Sequence, residues 1–520
     1  MNDRSDASHT TRRAGAIAGV AAGAAALGAS ELLAGVLPGA ASLVVSIGDA
    51  VISLQPPGAK QFVVDIVGEA DKLVLELLVV AVALAAAAGL GSVARTQPSV
   101  ARIGYAAFGI VALGAALLDP LTEPITTFMA AAAGVAIAIG VLGWLLRLAA
   151  RSGEEAHKPA AEMPDWGRRR FLGTSIAVGG VALTSGWLGR SLLAGGGAVS
   201  TPQVGSIPTP VETPPPLPAG ATLDVAGITP LVTPNERFYR IDTALLVPRP
   251  NVDEWRLRVT GMVDRPFEVT YDELVAMPLH EQYVTIACVS NEVGGDLVGN
   301  AKWTGVRLKE LLERAGVQPE ATQIVGRAVD GWTAGFPTVH ALADDREALV
   351  AVQMNDEPLP ADHGFPARLI VPGLFGYVSA TKWLSEIELT TLEAFDAYWV
   401  PLGWAKEGPI LTQSRIDVPR DRASIEAGTV PVAGVAWAPD RGVSRVEVQV
   451  DESGWQEAEI STPINDATWV QFVYRWDAVP GEHLIRVRAT DGDGTVQTDE
   501  RTEPAPDGAR GHHTIGVNVG

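Results

Sequence analysis

Residues Ile125 to Leu146 contain no charged side chain. A helix over this run covers the ~30 Å hydrocarbon core of a bilayer at ~1.5 Å per residue. Similar runs extend from Ala14 to about Leu37, with Glu31 as the one acid, from Leu77 to Ala94, and from Phe171 to Gly189. Another, Ile103 to Leu118, is short and reaches spanning length by recruiting Ala101 and Arg102, the arginine snorkelling. Hydrophobic residues make up 47% of the chain and charged residues 19%, and the apolar excess lies in the first 195 residues. Such a chain cannot fold around one soluble core. It is expected to be multidomain, with N-terminal transmembrane helices followed by water-soluble parts. Ser42 to Leu54 is apolar but broken by Asp49, and reads as an extracytoplasmic or re-entrant segment.

Loop charges set the orientation. Arg4, Arg12 and Arg13 precede the first span, Arg95 and Arg102 lie between the second and third, and Arg147, Arg151, Lys158, Arg168, Arg169 and Arg170 lie between the fourth and fifth. Residues 55–72 balance Lys60 and Lys72 against Asp65, Glu69 and Asp71, and 119–123 hold only Asp119 and Glu123. This places the N-terminus in the cytoplasm and everything after Leu193 outside. The expected divisions are a membrane domain over 1–165 with four spans and a fifth span over 166–195. Arg168-Arg-Arg-Phe-Leu172 ahead of an apolar run looks like an internal twin-arginine export signal, although the same arginines also serve as a positive-inside anchor. No small-x-small cleavage site follows, so the span is expected to persist. Glu31 and Glu76 lie at or near span ends and are read as interfacial, against the alternative of functional intramembrane acids.

Residues 196–232 are rich in Thr and Pro, including Thr213-Pro-Pro-Pro-Leu-Pro218, and read as an extended, semi-rigid linker. From 233 the texture is that of a mixed α+β domain, taken to 405. Trp255 to Val263 alternates as a strand, Thr270 to Met277 begins with an N-cap and reads as a short helix, and Val306 to Ala315 has helical spacing. Residues 411–520 alternate in short runs, Val430–Trp437, Val443–Val450, Trp469–Tyr474 and Glu482–Ala489, separated by turns. This spacing suggests an all-β immunoglobulin-like sandwich. Asp491-Gly-Asp-Gly494 reads as a hairpin turn rather than a calcium loop. His512 and His513, being adjacent, would face opposite sides of a strand.

Cys288 is the only cysteine. It ends the β-rich run Tyr283-Val-Thr-Ile-Ala-Cys288 and opens a loop with Gly294 and Gly295. One thiol forms no intrachain disulfide and supplies neither an iron–sulfur cluster nor a zinc cage. It packs as a small apolar residue, acts as a nucleophile or ligates a soft metal.

Taken with Asp362-His-Gly-Phe-Pro-Ala-Arg-Leu-Ile-Val-Pro-Gly373 and Ser379-Ala-Thr-Lys-Trp383, the Cys288 segment resembles the sulfite oxidase family of molybdopterin enzymes. The resemblance runs from about Pro234 to the C-terminus. It implies molybdenum–molybdopterin as cofactor and Cys288 as the protein ligand to the metal and catalytic centre. It implies that Asn235, Phe238 and Tyr239 contact the pterin and its phosphate, and that the second cofactor segment is His363 to Arg368, followed by Ser379, Ala380, Thr381 and Lys382. Arginine offers a planar fork suited to phosphate, and His363 is expected to donate a hydrogen bond to the pterin or its phosphate. The C-terminal domain resembles the dimerisation domain of the family, which implies a homodimer.

The chain departs from that family after the cysteine. Where sulfite oxidases typically read C-x-G-N-R-R, this chain has Cys288-Val-Ser-Asn-Glu-Val293, and Gly376-Tyr-Val-Ser-Ala-Thr-Lys382 carries no arginine. Loss of cations and gain of Glu292 disfavour a doubly charged substrate and favour a neutral S-oxide or N-oxide. The leading expectation is therefore a multi-pass cell-membrane enzyme with an extracytoplasmic catalytic domain, moving an oxygen atom to or from a small molecule. The alternatives are a sulfite dehydrogenase and a non-enzymatic membrane-anchored binding protein. His157 is the sole histidine between residues 14 and 195, so a haem between the spans is not indicated, and neither iron–sulfur nor NAD binding is. Electrons would pass to or from a separate electron-transfer protein or a quinone. Beyond membrane lipid and substrate, the net charge of −21 argues against nucleic acid as a partner.

Overall fold

A computed structural model describes residues 3–56, 63, 70–155, 166–195, 207–343 and 347–520. They fall into two compact units: Met1–Pro202 with Ala244–Leu246, and Gln203–Thr243 with Val247–Gly520.

The first unit is helical. Within it, Arg12–Val36, Asp71–Val93, Pro98–Ala116, Pro124–Ala150 and Arg169–Leu193 are long and apolar enough to cross a membrane. Pro98 opens the third of these at a position where the missing N–H is no loss. That start takes Ala101 and Arg102 into the helix, as their sequence setting requires. The segment broken by Asp49 is a short helix, Leu43–Ser53, and Ser42 caps it by accepting a bond from the Val45 N–H at 3.2 Å. The helix Asp3–Val36 packs against the second, fourth and fifth spans. Small residues allow this: a side chain on Gly19 would meet the Ala87 carbonyl oxygen at 2.1 Å, and one on Gly28 would meet that of Ala182 at 2.3 Å. Arg169 and Arg170 are exposed in the first turns of the fifth span's helix, and the side chain of Arg168 lies outside the described residues.

The second unit is sheet-rich. One mixed sheet orders its strands Phe267–Thr270, Arg256–Gly261, Leu384–Thr390, Gln323–Ala328 and Thr333–Pro337. The helix Tyr271–Val275 follows its first strand through a capping box in which Thr270 and Glu273 each satisfy the other's backbone N–H. An antiparallel sheet is built from His280–Ala287, Val298–Arg307, Leu349–Met354 and Glu357–Pro358, with Arg368–Ile370 pairing onto Leu349–Met354. The helix Leu308–Ala315 buries Leu308, Leu311, Leu312 and Ala315 and ends at Gly316 in the left-handed region (φ 71°).

Residues beyond Leu411 form two further sheets, one containing Gln413–Val418, Gly428–Trp437 and Val470–Ala478, the other Val443–Val450, Gly481–Asp491 and His513–Val519. Val432, Phe472, Val446, Val448, Ile485, Val487 and Ile515 fill a core common to both. Trp437 and Trp469 instead enter the apolar core of the preceding α+β part, and the Trp469 indole N–H donates to the Leu231 carbonyl at 2.8 Å. The two parts thus share one compact unit. The linker is described from residue 207. Its described part has no helix, makes turns at Pro218–Ala221 and Val225–Ile228, and lies against the protein: the Val211 N–H donates to Leu279, and Leu231 is buried. Asp491 is a buried anchor, accepting from Thr412 at 2.9 Å, Arg441 at 3.1 Å and the Thr495 N–H at 2.8 Å. His512 and His513 have separate partners, the Gln497 carbonyl and the Ile416 N–H.

Candidate active site

Cys288 stands at the end of the strand His280–Ala287, where two of its backbone groups close the following loop. Its N–H donates to Leu297 at 2.9 Å, and its carbonyl accepts from the Asn291 N–H at 3.1 Å. The Asn291 side-chain oxygen accepts from the Leu297 N–H at 2.9 Å, so that side chain braces the loop. A side chain on Gly295 would meet this same oxygen at 2.5 Å, which accounts for glycine there. Glu292 is exposed. The thiol itself is buried, at 8% exposure.

Tyr239 lies close enough to Cys288 and Arg368 to feel both charges. Burial first, and then the Cys288 charge, hold its hydroxyl far above the usual phenol range. Gly376 faces the same place: a side chain there would lie 3.7 Å from the Ala287 carbonyl oxygen and 3.8 Å from the Tyr239 hydroxyl. Phe238 stacks on Tyr239 with ring centroids 5.3 Å apart and meets Trp303 and His363 edge-on at 5.8 and 5.7 Å.

Two cations and a histidine are buried beside this aromatic wall. Arg368 is 3% exposed, donates to the His363 carbonyl at 2.9 Å and lies 5.0 Å from the Trp303 ring centroid. Burial pulls its guanidinium down to about 10. Lys382 donates to Asp242 at 3.1 Å and to the Asp362 carbonyl at 3.0 Å, yet burial pulls it down to about 8. Burial, then the Arg368 charge, push His363 down to about 4, so its ring is neutral. His363 Nε2 lies 2.9 Å from the Asn235 carbonyl oxygen, and the neutral ring must donate from that nitrogen. Nδ1 is left as an acceptor. In this arrangement the ring's donor is used by the Asn235 carbonyl.

The Asn235 side chain is engaged at 3.3 Å with the Met354 carbonyl, at 3.2 Å with Glu357 and at 2.8 Å with Asn355, and its backbone holds His363. Ser379 turns its hydroxyl back to the Leu374 and Phe375 carbonyls, at 3.3 and 3.0 Å. Ala380 closes the short helix Gly376–Ser379. Among the described residues, His363 Nδ1, Arg368 Nε and Thr381 Oγ1 are buried polar atoms without a hydrogen-bond partner. Orphaned buried polar atoms are unfavourable and rare. Three within one stretch of chain, beside cations opposed by one close carboxylate, suit a phosphate-bearing group that both accepts and donates hydrogen bonds. Sequence reasoning missed Asp242 and Trp303. Asp242 lies three residues past Tyr239, but nothing local pairs it with a lysine 140 residues on.

A family model described as oxidoreductase molybdopterin binding domain matches residues 244–399. Mitochondrial sulfite oxidase of Mus musculus is 31% identical over 319 residues, covering 52% of this chain and 57% of that protein. The chain thus matches little more than half the length of that relative. The uncharacterized oxidoreductase YuiH of Bacillus subtilis is 35% identical over 158 residues, covering 30% of this chain and 76% of that protein. Among solved structures, the sulfane dehydrogenase SoxCD of Paracoccus pantotrophus aligns with a TM-score of 0.49 at 23% identity, covering 56% of this chain and 82% of that one.

Proposed function

The chain belongs to the sulfite oxidase family of molybdopterin-dependent oxidoreductases, and from that premise we propose a membrane-anchored, extracytoplasmic enzyme that moves an oxygen atom to or from a small, neutral S-oxide or N-oxide. The observation that carries this reading is the buried group of Cys288, Tyr239, His363, Arg368 and Lys382, beside the unpartnered His363 Nδ1, Arg368 Nε and Thr381 Oγ1. The molybdenum–molybdopterin group, when bound, supplies two-electron oxygen-atom exchange. Cys288 would be its protein ligand, since a thiolate suits a soft metal centre. Arg368 and Lys382 would hold the phosphate, and Thr381 would add a hydroxyl donor. His363 Nδ1 would accept from a pterin N–H, its orientation held by the Asn235 carbonyl. Phe238 and Trp303 keep water from these buried charges. The Tyr239 hydroxyl stays protonated beside Cys288 across the physiological range.

The loop after Cys288 carries no cation of its own, although Arg415 donates to its Gly295 carbonyl at 2.8 Å. Asn291 is committed to Leu297 and Glu292 is exposed, which supports a neutral substrate. A sulfite dehydrogenase is the second reading, favoured by the 31% identity to the mouse enzyme. Residues 411–520 are read as an immunoglobulin-like sandwich that pairs two copies. Electrons would pass to or from a separate protein or a quinone.

Assays of the purified protein with redox dyes separate the readings. Reduced viologen is expected to drive turnover of an S-oxide or N-oxide. Dye-linked oxidation of sulfite, with no turnover of the oxides, would select the sulfite dehydrogenase.

A further inference from the structure

Outside the catalytic unit, three ionisable side chains meet at one end of the helical unit. Packing register sets this. Gly15 lies against Gly91 and Gly19 against Ala87, so the first and second spans run antiparallel. Gly28 lies against Ala182 and Gly35 against Gly189, so the first and fifth run parallel. Glu31 near the end of Asp3–Val36, Glu76 near the start of Asp71–Val93 and Arg190 near the end of Trp166–Gly195 therefore share one end. It is the end from which the chain leaves the fifth span.

Glu31 is 5% exposed, and the Ser42 hydroxyl lies 2.8 Å from both its carboxylate oxygens. Arg190 Nε is 3.8 Å from Glu31, and a second Arg190 nitrogen pairs with Glu76. The third, Nη1, is buried without an acceptor. Two carboxylates thus face one guanidinium that has a donor to spare. The second and fifth spans both pack on the first, and the Arg190–Glu76 pair bridges them. The Arg190 and Glu76 side chains are 27% and 21% exposed. Around them Leu73, Leu77, Trp187 and Leu188 present apolar side chains outward. Arg190 and Glu76 are thus partly exposed beside apolar side chains on the surface that would face lipid in a spanning bundle.

Charged side chains packed between apolar spans, even at their ends, are costly to bury and mark candidate ligand or proton sites. A ligand arriving from the hydrocarbon phase must be amphipathic. It must accept from Arg190 Nη1 and donate to a carboxylate. The surplus negative charge disfavours a phosphate headgroup. We propose that Glu31, Glu76 and Arg190 form the headgroup site for a membrane quinone and its quinol, the electron partner of the catalytic unit. A quinone carbonyl accepts from Arg190, and a quinol hydroxyl donates to Glu76. Oxidation of the quinol releases two electrons and two protons, the protons leaving by the carboxylates. Reduction of an S-oxide consumes two of each, so quinol and S-oxide give quinone, sulfide and water. The electron role rests on the oxygen-transfer reading; binding does not.

The test is a titration of the detergent-solubilised full chain with decylbenzoquinone, read by tryptophan fluorescence quenching. Saturable binding of one molecule per chain is expected, about tenfold weaker in Arg190→Gln. Arg102→Gln, at the opposite end of the bundle, is expected to bind as the parent does. Arg190→Lys keeps the charge and removes the fork, so it guards against loss through misfolding, and it too is expected to bind weakly. Equal affinity in these variants, or displacement of the quinone by phosphatidylglycerol, overturns the site. Viologen-driven turnover that decylbenzoquinol fails to drive overturns the electron role alone. Quinone binding without viologen-driven turnover of any oxide supports the site and counts against the functional reading instead.

Discussion

Arg368 is nearly sealed from water, makes one hydrogen bond to a carbonyl and leaves Nε without a partner. A buried guanidinium in that state is stabilised by an anion. Arg368→Ala and Lys382→Ala are each expected to weaken retention of the pterin by about 2–5 kcal/mol, the typical loss when one partner of a buried charge pair is truncated. Molybdenum and pterin content after gel filtration measures it, and full occupancy in both variants contradicts the assignment. At this scale the sequence exposes residues whose chemistry is visible in a motif: Cys288, His363, Arg368 and Lys382. It does not expose the state in which they are held. The neutral ring of His363, with its donor turned to Asn235, follows from burial and from a partner 128 residues away. Asp242 and Trp303 were hidden for the same reason.

Strands and helices were legible wherever a local rule operates. The strand Val443–Val450 and the capped helix after Thr270 follow from alternation and capping chemistry. The seating of the Pro-rich segment was not legible, because Leu231 is held by Asn300 and Trp469 across the fold. Long-range ties of this kind carry a pH dependence. His513 Nδ1 accepts from the Ile416 N–H at 2.9 Å, which requires a neutral ring, and burial, then Arg415, push it down to about 4. Unfolded, the ring takes a proton at about 6.5. The unfolded chain therefore binds the extra proton between these values. Stability is full above pH ~6.5 and declines as pH falls toward ~4, by about 2–3 kcal/mol for this residue. Fluorescence melts of the solubilised protein between those pH values should show the decline, and His513→Asn should flatten it. Identical slopes for parent and variant would contradict this origin.

For the whole molecule, the five apolar helices were legible from length and charge alone, since the hydrocarbon core admits little else. The Glu31–Arg190–Glu76 cluster was not. It depends on which glycines meet across helices, and that is a property of packing. The loop arginines are the basis on which we propose a cytoplasmic N-terminus. A reporter active only outside the cytoplasm should give signal when fused after residue 196 and none when fused near residue 155. The reverse pattern would invert the topology and move the catalytic unit to the other side.

The central proposal is that the Cys288 thiolate would ligate the metal centre that exchanges oxygen, and its most direct test is turnover per folded molecule of Cys288→Ser. Serine is nearly isosteric but a harder donor to the metal. The pterin would still be held through Arg368, Lys382, Thr381 and His363. The variant is therefore expected to fold and to retain pterin, and to lose turnover. Folded Cys288→Ser protein with the specific activity of the parent would contradict the account.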